Sequence, residues 1–252
     1  SKYYKAFSLV ELSIVIFVIA VFMSMVVAGK ALKENAKIRG LIAEMKEYEV
    51  AYNNFINVYD ARPGDMADAS DVFGTDCDAT ASKCNGDGDG DIEYGACNDD
   101  DESVRVMQHM VLAGMLNKEV SGNCSDQSKV MYNSEVFDKV FFSMQGRFGD
   151  VYPAKQWGKQ SNVMFIGYDY VANNHWLAAK AFVTLTAKKI DMKLDDGIAH
   201  KGKLFAVGIS SSPLTCSADF SSSSGADYLQ TSLLLDSKEC VLLYFIDEVE
   251  ID

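Results

Sequence analysis

The chain has 252 residues, of which 48% are hydrophobic, so it is long enough and apolar enough to bury a sizeable core. Its 3 prolines and 23% charged residues argue against a disordered chain. The net charge of −13 argues against a nucleic-acid partner, because phosphate binding requires a basic surface. Most of the acidity lies in one segment: residues 60–102 contain 14 Asp or Glu residues and only two basic residues.

A long N-terminal helix is the first predicted element. Residues 12–29 are 18 consecutive residues without a charge, close to the roughly 20 that a membrane span requires. Apolar residues then recur every three or four positions as far as Tyr59. We expect one helix from about Phe7 to Tyr59, with a membrane segment at about 7–29. Its second half is apolar on one side only and should pack against a globular domain, residues 60–252.

Glu11 is the exceptional residue of the apolar run. A carboxylate at the centre of a membrane costs about 2.5–3.5 kcal/mol on insertion scales. Glu11 either lies among the lipid headgroups, where it costs little, or meets a positive partner when subunits assemble.

The cysteines indicate an oxidising compartment. All six lie beyond residue 76, at Cys77, Cys84, Cys97, Cys124, Cys216 and Cys240, and none has C-x-x-C spacing. Disulfides are therefore favoured over a metal or redox motif. Of the 15 possible pairings, proximity in sequence favours Cys77 with Cys84, Cys97 with Cys124, and Cys216 with Cys240. The N-terminus would then be cytoplasmic and the rest of the chain outside the cytoplasm.

The acidic segment contains a loop with the spacing of a calcium site, residues 85–102. Side-chain oxygens of Asn85, Asp87 and Asp89 stand at alternating positions, and Gly90 permits the sharp turn that follows. Asp91 would contribute its backbone carbonyl, and Glu93 or a carboxylate from residues 99–102 would close the shell, because the twelfth position is Ala96. A flexible acidic loop without a metal is the alternative. Hard oxygen ligands favour calcium over zinc or copper.

The sequence pattern of the globular part predicts an α+β fold, and it contains none of the enzyme motifs considered below. Helices are expected at about 102–117 and at 187–194, the second capped by Thr186. Strand-like runs lie at 163–166, 203–207 and 241–246. The three histidines are scattered, and the chain contains no H-E-x-x-H pair, nucleophile elbow, P-loop or dinucleotide fingerprint. We therefore predict that the protein is not an enzyme.

The N-terminal residues resemble the processing site of type IV pilins and type II secretion pseudopilins, in the run Ala6-Phe7-Ser8-Leu9-Val10-Glu11-Leu12. Three further segments, at 63–66, 85–88 and 190–197, resemble parts of a subset of prepilin-type proteins. The resemblance implies that a prepilin peptidase cuts between Ala6 and Phe7, removing a leader of residues 1–6, and that the new amine is methylated. Glu11 would neutralise the amine of a neighbouring subunit during assembly. This chain has Ala6 where the family usually has glycine.

The resemblance also implies a fold, partners and a location. The fold would be pilin-like, with the long helix packed on a domain containing an antiparallel sheet. The chain would polymerise with itself or other pilins through the inner-membrane assembly platform, passing from the inner membrane to a periplasmic or extracellular filament. A major pilin, a pseudopilin and a minor tip pilin or adhesin remain open, as does a calcium-dependent surface binding protein anchored by the helix. A signal peptide cleaved before Gly29 is the remaining competitor.

Overall fold

The structure is a computed structural model. It describes residues 8–78, 80, 83–93, 101–120, 122, 131–146, 162–168, 180–208, 216, 227–229, 233 and 236–246. The chain divides into two compact units, Ser1–Gly40 and Leu41–Asp252. In its described part the first unit contains only the beginning of the N-terminal helix. The second unit contains the end of that helix and all the other elements.

The N-terminal helix, α1, spans Leu9–Tyr59 and confirms the long helix expected from the apolar periodicity. No proline interrupts it, and Asp60, directly after it, has a φ of 53°, which an α-helix does not allow. The unit boundary lies inside α1, whereas the sequence pattern places the globular domain from residue 60. The physical reason is that residues 41–59 bury one face of the helix in the second unit.

Among the described residues, three further helices and a 3₁₀ turn follow α1. The helices are α2 (Ala69–Phe73), α3 (Glu102–Leu112) and α4 (Thr184–Leu194), and the 3₁₀ turn is Gly74–Asp76. α4 begins earlier than the sequence suggested: Val183, in extended conformation, stands at its N-cap, and Thr186 lies inside the helix. α3 ends at Leu112, before Gly114, whose φ of 69° stops the helix.

Within the described ranges, six strands form an antiparallel sheet, as expected for an α+β fold. They are β1 (Tyr132–Asn133), β2 (Val140–Gln145), β3 (Val163–Tyr168), β4 (Phe182–Val183), β5 (Leu204–Val207) and β6 (Lys238–Phe245). The order is β1-β2-β3-β6-β4, and β5 also pairs with β6. All the pairs are antiparallel. The three predicted strand runs correspond to β3, β5 and β6.

The C-terminal part of α1 packs on one face of this sheet. Tyr48 stacks on Tyr132 with ring centroids 5.4 Å apart and contacts Phe142 at 4.8 Å. On the same side, Glu49 accepts hydrogen bonds from Lys46 Nζ (2.7 Å), from the Tyr244 hydroxyl (3.0 Å) and from Lys203 Nζ. Glu49 thus links α1 to β6 through Tyr244 and to Lys203, the residue before β5.

The opposite face of the sheet forms a separate core with α3. Its buried members are Val104, Met131, Val163, Phe165, Phe205, Val207, Val241, Leu243 and Phe245. Alternation along each strand explains the two faces, because neighbouring residues of a strand point to opposite sides. β3 and β6 are therefore buried on both sides, which accounts for their nearly continuous apolar sequences.

Two disulfides lie within the described residues, Cys77–Cys84 and Cys216–Cys240. Both are pairs that proximity in sequence favours. Cys97 and Cys124 lie outside the described residues.

Candidate functional site: the N-terminal helix and the acidic loop

The first part of α1 exposes an apolar surface on all sides. It is long and apolar enough to cross a membrane, and none of its most apolar 18-residue window is buried within the protein. Large side chains such as Phe17, Phe22 and Val27 are more than 60% exposed. So large an apolar surface marks a contact with lipid or with another protein.

Glu11 caps the start of this helix. The Ser8 backbone N–H donates to Glu11 Oε2 (2.9 Å), and the Val10 N–H donates to Ser8 Oγ (3.3 Å). A serine before the first turn that pairs with a glutamate three residues later is a capping box, which satisfies N–H groups that the helix leaves free. The carboxylate is exposed and close to the helix start. Ala6 and Phe7, the predicted cleavage residues, lie outside the described residues.

The acidic loop wraps around the carboxylate of Asp65. The Gly88 N–H donates to Asp65 Oδ1 (2.7 Å) and the Gly90 N–H donates to Asp65 Oδ2 (3.0 Å). Gly88 and Gly90 have φ values of 80° and 96°, a left-handed conformation that glycine adopts without strain. Burial raises the pKa of Asp65 to about 6, although both N–H bonds act to lower it.

Aspartates within the loop turn the backbone locally. Asp87 Oδ1 accepts the N–H of Asp89 (3.0 Å), and Asp89 Oδ1 accepts the N–H of Asp91 (2.8 Å). Each is an Asx turn, in which one carboxylate oxygen is used and the other is left for a different partner. The Asn85 side-chain oxygen accepts the Ser70 N–H (2.7 Å) and so ties the loop to α2.

Glu102, the first residue of α3, closes the loop from the other side. Its Oε1 accepts the Asp87 N–H (2.8 Å), and its Oε2 accepts the Glu93 N–H (3.2 Å). The side chain is buried. Burial raises the pKa of Glu102 well above its usual range, and a hydrogen bond with Glu93 raises it further. The carboxylate is therefore costly to ionise without a nearby cation.

The fold brings carboxylates together in two groups that share Asp87. One group is Asp65, Asp87 and Glu102, and the other is Asp87, Asp89 and Glu93; within each, one ligand atom per residue lies within 4.8 Å of the others. A third such group, Asp191, Asp195 and Asp196, lies away from this loop at the end of α4. Asp87, Asp89 and Glu93 are predicted ligands whose carboxylates converge. Asp91 was expected to contribute its backbone carbonyl, which these groups of side chains do not test. Asp65 was missed because it precedes the loop by some twenty residues. Its only sequence signal is the Pro-Gly-Asp-Met segment. Glu102 falls in the range expected to close the shell.

Two arginines lie against the loop as well. Arg105 of α3 is buried and donates from Nη1 to the Asn85 carbonyl oxygen. Arg62 is close to the loop backbone, since a Cβ at Gly90 would come within 3.1 Å of Arg62 Nη1. These cations balance only part of the negative charge of the segment.

His109 lies beneath the loop and has a structural role. Its Nδ1 accepts the Gly64 N–H (3.0 Å), so the proton is on Nε2, which donates to the Cys84 carbonyl oxygen (3.0 Å). Burial lowers the pKa of His109 to about 4, and the ring is neutral at pH 7. It thereby holds the Cys77–Cys84 loop against the turn that presents Asp65.

Among the comparisons with known proteins, the match lies at the N-terminus of the chain. The family model of the prokaryotic N-terminal methylation motif matches residues 1–27. No curated protein matches the chain, and no solved structure does. The match covers the run from Ala6 to Leu12 on which the resemblance to pilins depends, and it confirms that resemblance. The chain therefore carries, over the start of an exposed apolar helix, the N-terminal methylation motif that is the signature of type IV pilins and pseudopilins.

Proposed function

We propose that the protein is a structural subunit of a type IV pilin-like filament, either a type IV pilus or a type II secretion pseudopilus. The observation that carries the proposal is the methylation motif at the start of a helix whose apolar surface is exposed on all sides. A membrane can cover that surface before assembly, and the same helices of neighbouring subunits can cover it afterwards. On this proposal the protein acts as a structural subunit and not as an enzyme.

Assembly would begin with cleavage between Ala6 and Phe7 by a prepilin peptidase in the inner membrane. The assembly platform would then move the apolar helix out of the membrane into the helical core of the filament. Glu11 is suited to guide this step, because its carboxylate lies at the helix start and is exposed. In the isolated chain it is satisfied by the Ser8 N–H, and in the filament it would pair with the amine of a neighbouring subunit.

The acidic loop is the proposed calcium site of the subunit. The carboxylates of Asp65, Asp87, Asp89, Glu93 and Glu102 offer the hard oxygen ligands that calcium prefers. Asp87 belongs to both groups and is the residue on which binding would depend most. A bound divalent cation would supply the positive charge that a buried Glu102 lacks and would fix the loop against α3.

Filament formation tests the proposed function. We would compare cells that express the wild type, Glu11→Gln or the control Glu47→Gln. Glu47 is exposed on the second half of α1 and is in no ion pair among the described residues. Sheared surface fractions, or the periplasm for a pseudopilus, would be examined by electron microscopy and immunoblotting. We expect filaments from the wild type and from the control Glu47→Gln. Glu11→Gln should form no filaments and should accumulate in the inner membrane.

Two results would contradict the proposal. If the wild type forms no filament and remains a single anchored chain, the surface binding protein becomes the better interpretation. If Glu11→Gln assembles as well as the wild type, the proposed pairing of Glu11 with a neighbouring amine is wrong.

A further inference from the structure

Asn162, the residue before β3, holds the acidic loop from outside. Its side-chain Oδ1 accepts the Ile92 N–H (3.1 Å), and its Nδ2 donates to the Gly90 carbonyl oxygen (3.2 Å). Asn162 is completely buried. Its two partners are 70 and 72 residues away in sequence, so the contact forms only in the folded chain. The spacing of the loop residues gives no sign of it.

The end of β2 holds the same stretch of the loop. Gly146, directly after β2, donates its N–H to the Ile92 carbonyl oxygen (2.7 Å). A Cβ at Gly146 would come within 2.6 Å of Asn162 Oδ1 and 2.7 Å of the Ile92 nitrogen, so any larger residue would displace the contact. Ile92 is itself fully buried. Both hydrogen-bonding groups of the Ile92 backbone are thus bound to residues at the ends of β2 and β3.

The stretch that Asn162 holds lies between two of the proposed calcium ligands. Asp89 and Glu93 are four residues apart in sequence, and one carboxylate oxygen of each lies within 4.8 Å of the other. A fully extended backbone would separate their Cα atoms by about 13 Å. The two carboxylates therefore converge only while the backbone between them is held in a bent path, and Asn162 and Gly146 bind that backbone at Gly90 and Ile92.

We propose that Asn162 positions the backbone of the acidic loop for calcium. The inference rests on the proposed calcium site and concerns how its ligands are held. The Ile92 N–H and the Asp91 carbonyl belong to one planar trans peptide group and point in opposite directions. Asn162 binds that N–H and so directs the Asp91 carbonyl, the backbone ligand expected from the loop spacing, away from itself. Asn162 acts through the loop and is therefore a positioning residue, not a ligand.

A purely structural role for Asn162 is the alternative. Its Nδ2 also donates to the Tyr52 hydroxyl of α1 (3.4 Å), and its backbone carbonyl oxygen accepts the Ile246 N–H (3.1 Å). A residue that only stabilised the fold would contribute equally with and without calcium, and its loss would leave the calcium affinity of the folded molecules unchanged. A positioning residue changes that affinity, because ligands that are already in place lose less conformational entropy on binding.

Calcium titration of the full chain in detergent, well below its Tm, separates the two roles. Asn162→Ala should raise the Kd for calcium by about 10–100-fold, the usual loss when a residue that orients a metal ligand is removed. Tyr52→Phe is the matched control, because it removes a hydrogen bond to the same Nδ2 and leaves both loop contacts in place. Its Kd should stay within about twofold of the wild type. In chelator both variants should unfold at a lower temperature than the wild type, since each loses a buried hydrogen bond.

Amide hydrogen exchange of the wild type gives an answer even if Asn162→Ala does not fold. If the Ile92 N–H leaves Asn162 only when the site opens and releases its ion, calcium at 100 times its Kd should slow exchange of this amide by up to about 100-fold. The Ser134 N–H, which donates to the Val140 carbonyl oxygen in the turn between β1 and β2, is the reference amide. Its exchange should be the same in calcium and in chelator.

The outcomes distinguish this inference from the proposed calcium site. A wild type that binds no calcium would contradict the site itself. Calcium binding by the wild type, together with an equal Kd for Asn162→Ala or an Ile92 amide whose exchange ignores calcium, would overturn the role of Asn162 alone. A Kd that Tyr52→Phe raises as much as Asn162→Ala would also overturn it, and would assign the effect to the packing of α1.

Discussion

The substitution Asp87→Asn tests the proposed calcium site with the least change in shape. Asp87 belongs to both carboxylate groups, and its Oδ1 accepts the Asp89 N–H. Asparagine keeps an oxygen for that hydrogen bond and removes one negative charge. The substitution therefore separates the charge of the residue from its role in turning the loop.

The geometry sets the scale of the effect. Two ionised carboxylates whose ligand atoms are 4.8 Å apart repel by about 3.5 kcal/mol at an effective dielectric constant of about 20, and this value is an upper limit here because the raised pKa of Glu102 disfavours its charged form. Asp87 is exposed, so water screens the repulsion between its charge and the neighbouring carboxylates. We therefore expect removal of this charge to stabilise the calcium-free protein by about 1 kcal/mol or less. Calcium at 100 times its dissociation constant would stabilise the wild type by about 2.7 kcal/mol. For a chain of this size that corresponds to an increase in Tm of about 5–10 °C.

The assay is thermal unfolding of the full chain in detergent, with calcium or with a chelator. We expect calcium to raise the Tm of the wild type and to raise that of Asp87→Asn far less. In chelator the variant should be at least as stable as the wild type. Asp68→Asn is the matched control, because Asp68 is an exposed aspartate outside both groups, and its calcium response should equal that of the wild type. Equal calcium shifts for Asp87→Asn and the wild type, or no shift in either, would refute the site.

Two further predictions concern the globular domain. Asp191 is fully buried and accepts hydrogen bonds from the Tyr228 hydroxyl (2.8 Å) and the Gly197 N–H (3.2 Å). Burial raises the pKa of Asp191 from 3.8 to about 7, and the nearby charges of Asp195 and Asp196 raise it by a smaller amount. The folded protein then holds a proton that the unfolded chain has released, so the contribution of Asp191 to stability falls as the pH rises from 3.8 to about 7. The Tm of Asp191→Asn should accordingly vary less with pH over that range, and a profile parallel to that of the wild type would contradict the assignment. Glu49→Gln should lower the free energy of unfolding by about 1–2 kcal/mol in urea titrations, because it weakens the bonds from Lys46, Lys203 and Tyr244 while both lysines remain about half exposed. An unchanged urea midpoint would show that this network contributes nothing, and Glu47→Gln serves as the control.

Local sequence signals were sufficient for the long helix and the main strands. The apolar spacing from Ile38 to Tyr59 matches a helix face, and the apolar runs of β3, β5 and β6 match strands buried on both sides. The predicted start of α4 was wrong. Threonine is a common N-cap residue, so Thr186 was taken as the cap, but β4 leads directly into the helix and Val183 is the N-cap.

The acidic loop illustrates what sequence spacing does not determine. The alternating aspartates predict calcium ligands that all come from one short loop. In the folded chain, the loop is built around Asp65 from the turn after α1 and Glu102 from the start of α3. Their convergence depends on tertiary contacts, including the hydrogen bonds of His109 to Gly64 and Cys84, and no local pattern specifies those.

The N-terminus of the assembled protein tests the central claim most directly. Filaments sheared from cells would be analysed by intact mass and by sequencing of the N-terminal peptide. We expect a chain that begins at an N-methylated Phe7, with residues 1–6 removed and Glu11 at the fifth position. A chain that begins at Gly29 would contradict the filament account, because the apolar helix would then be a removed signal peptide. A chain that still begins at Ser1 would contradict the pairing of Glu11 with a neighbouring amine.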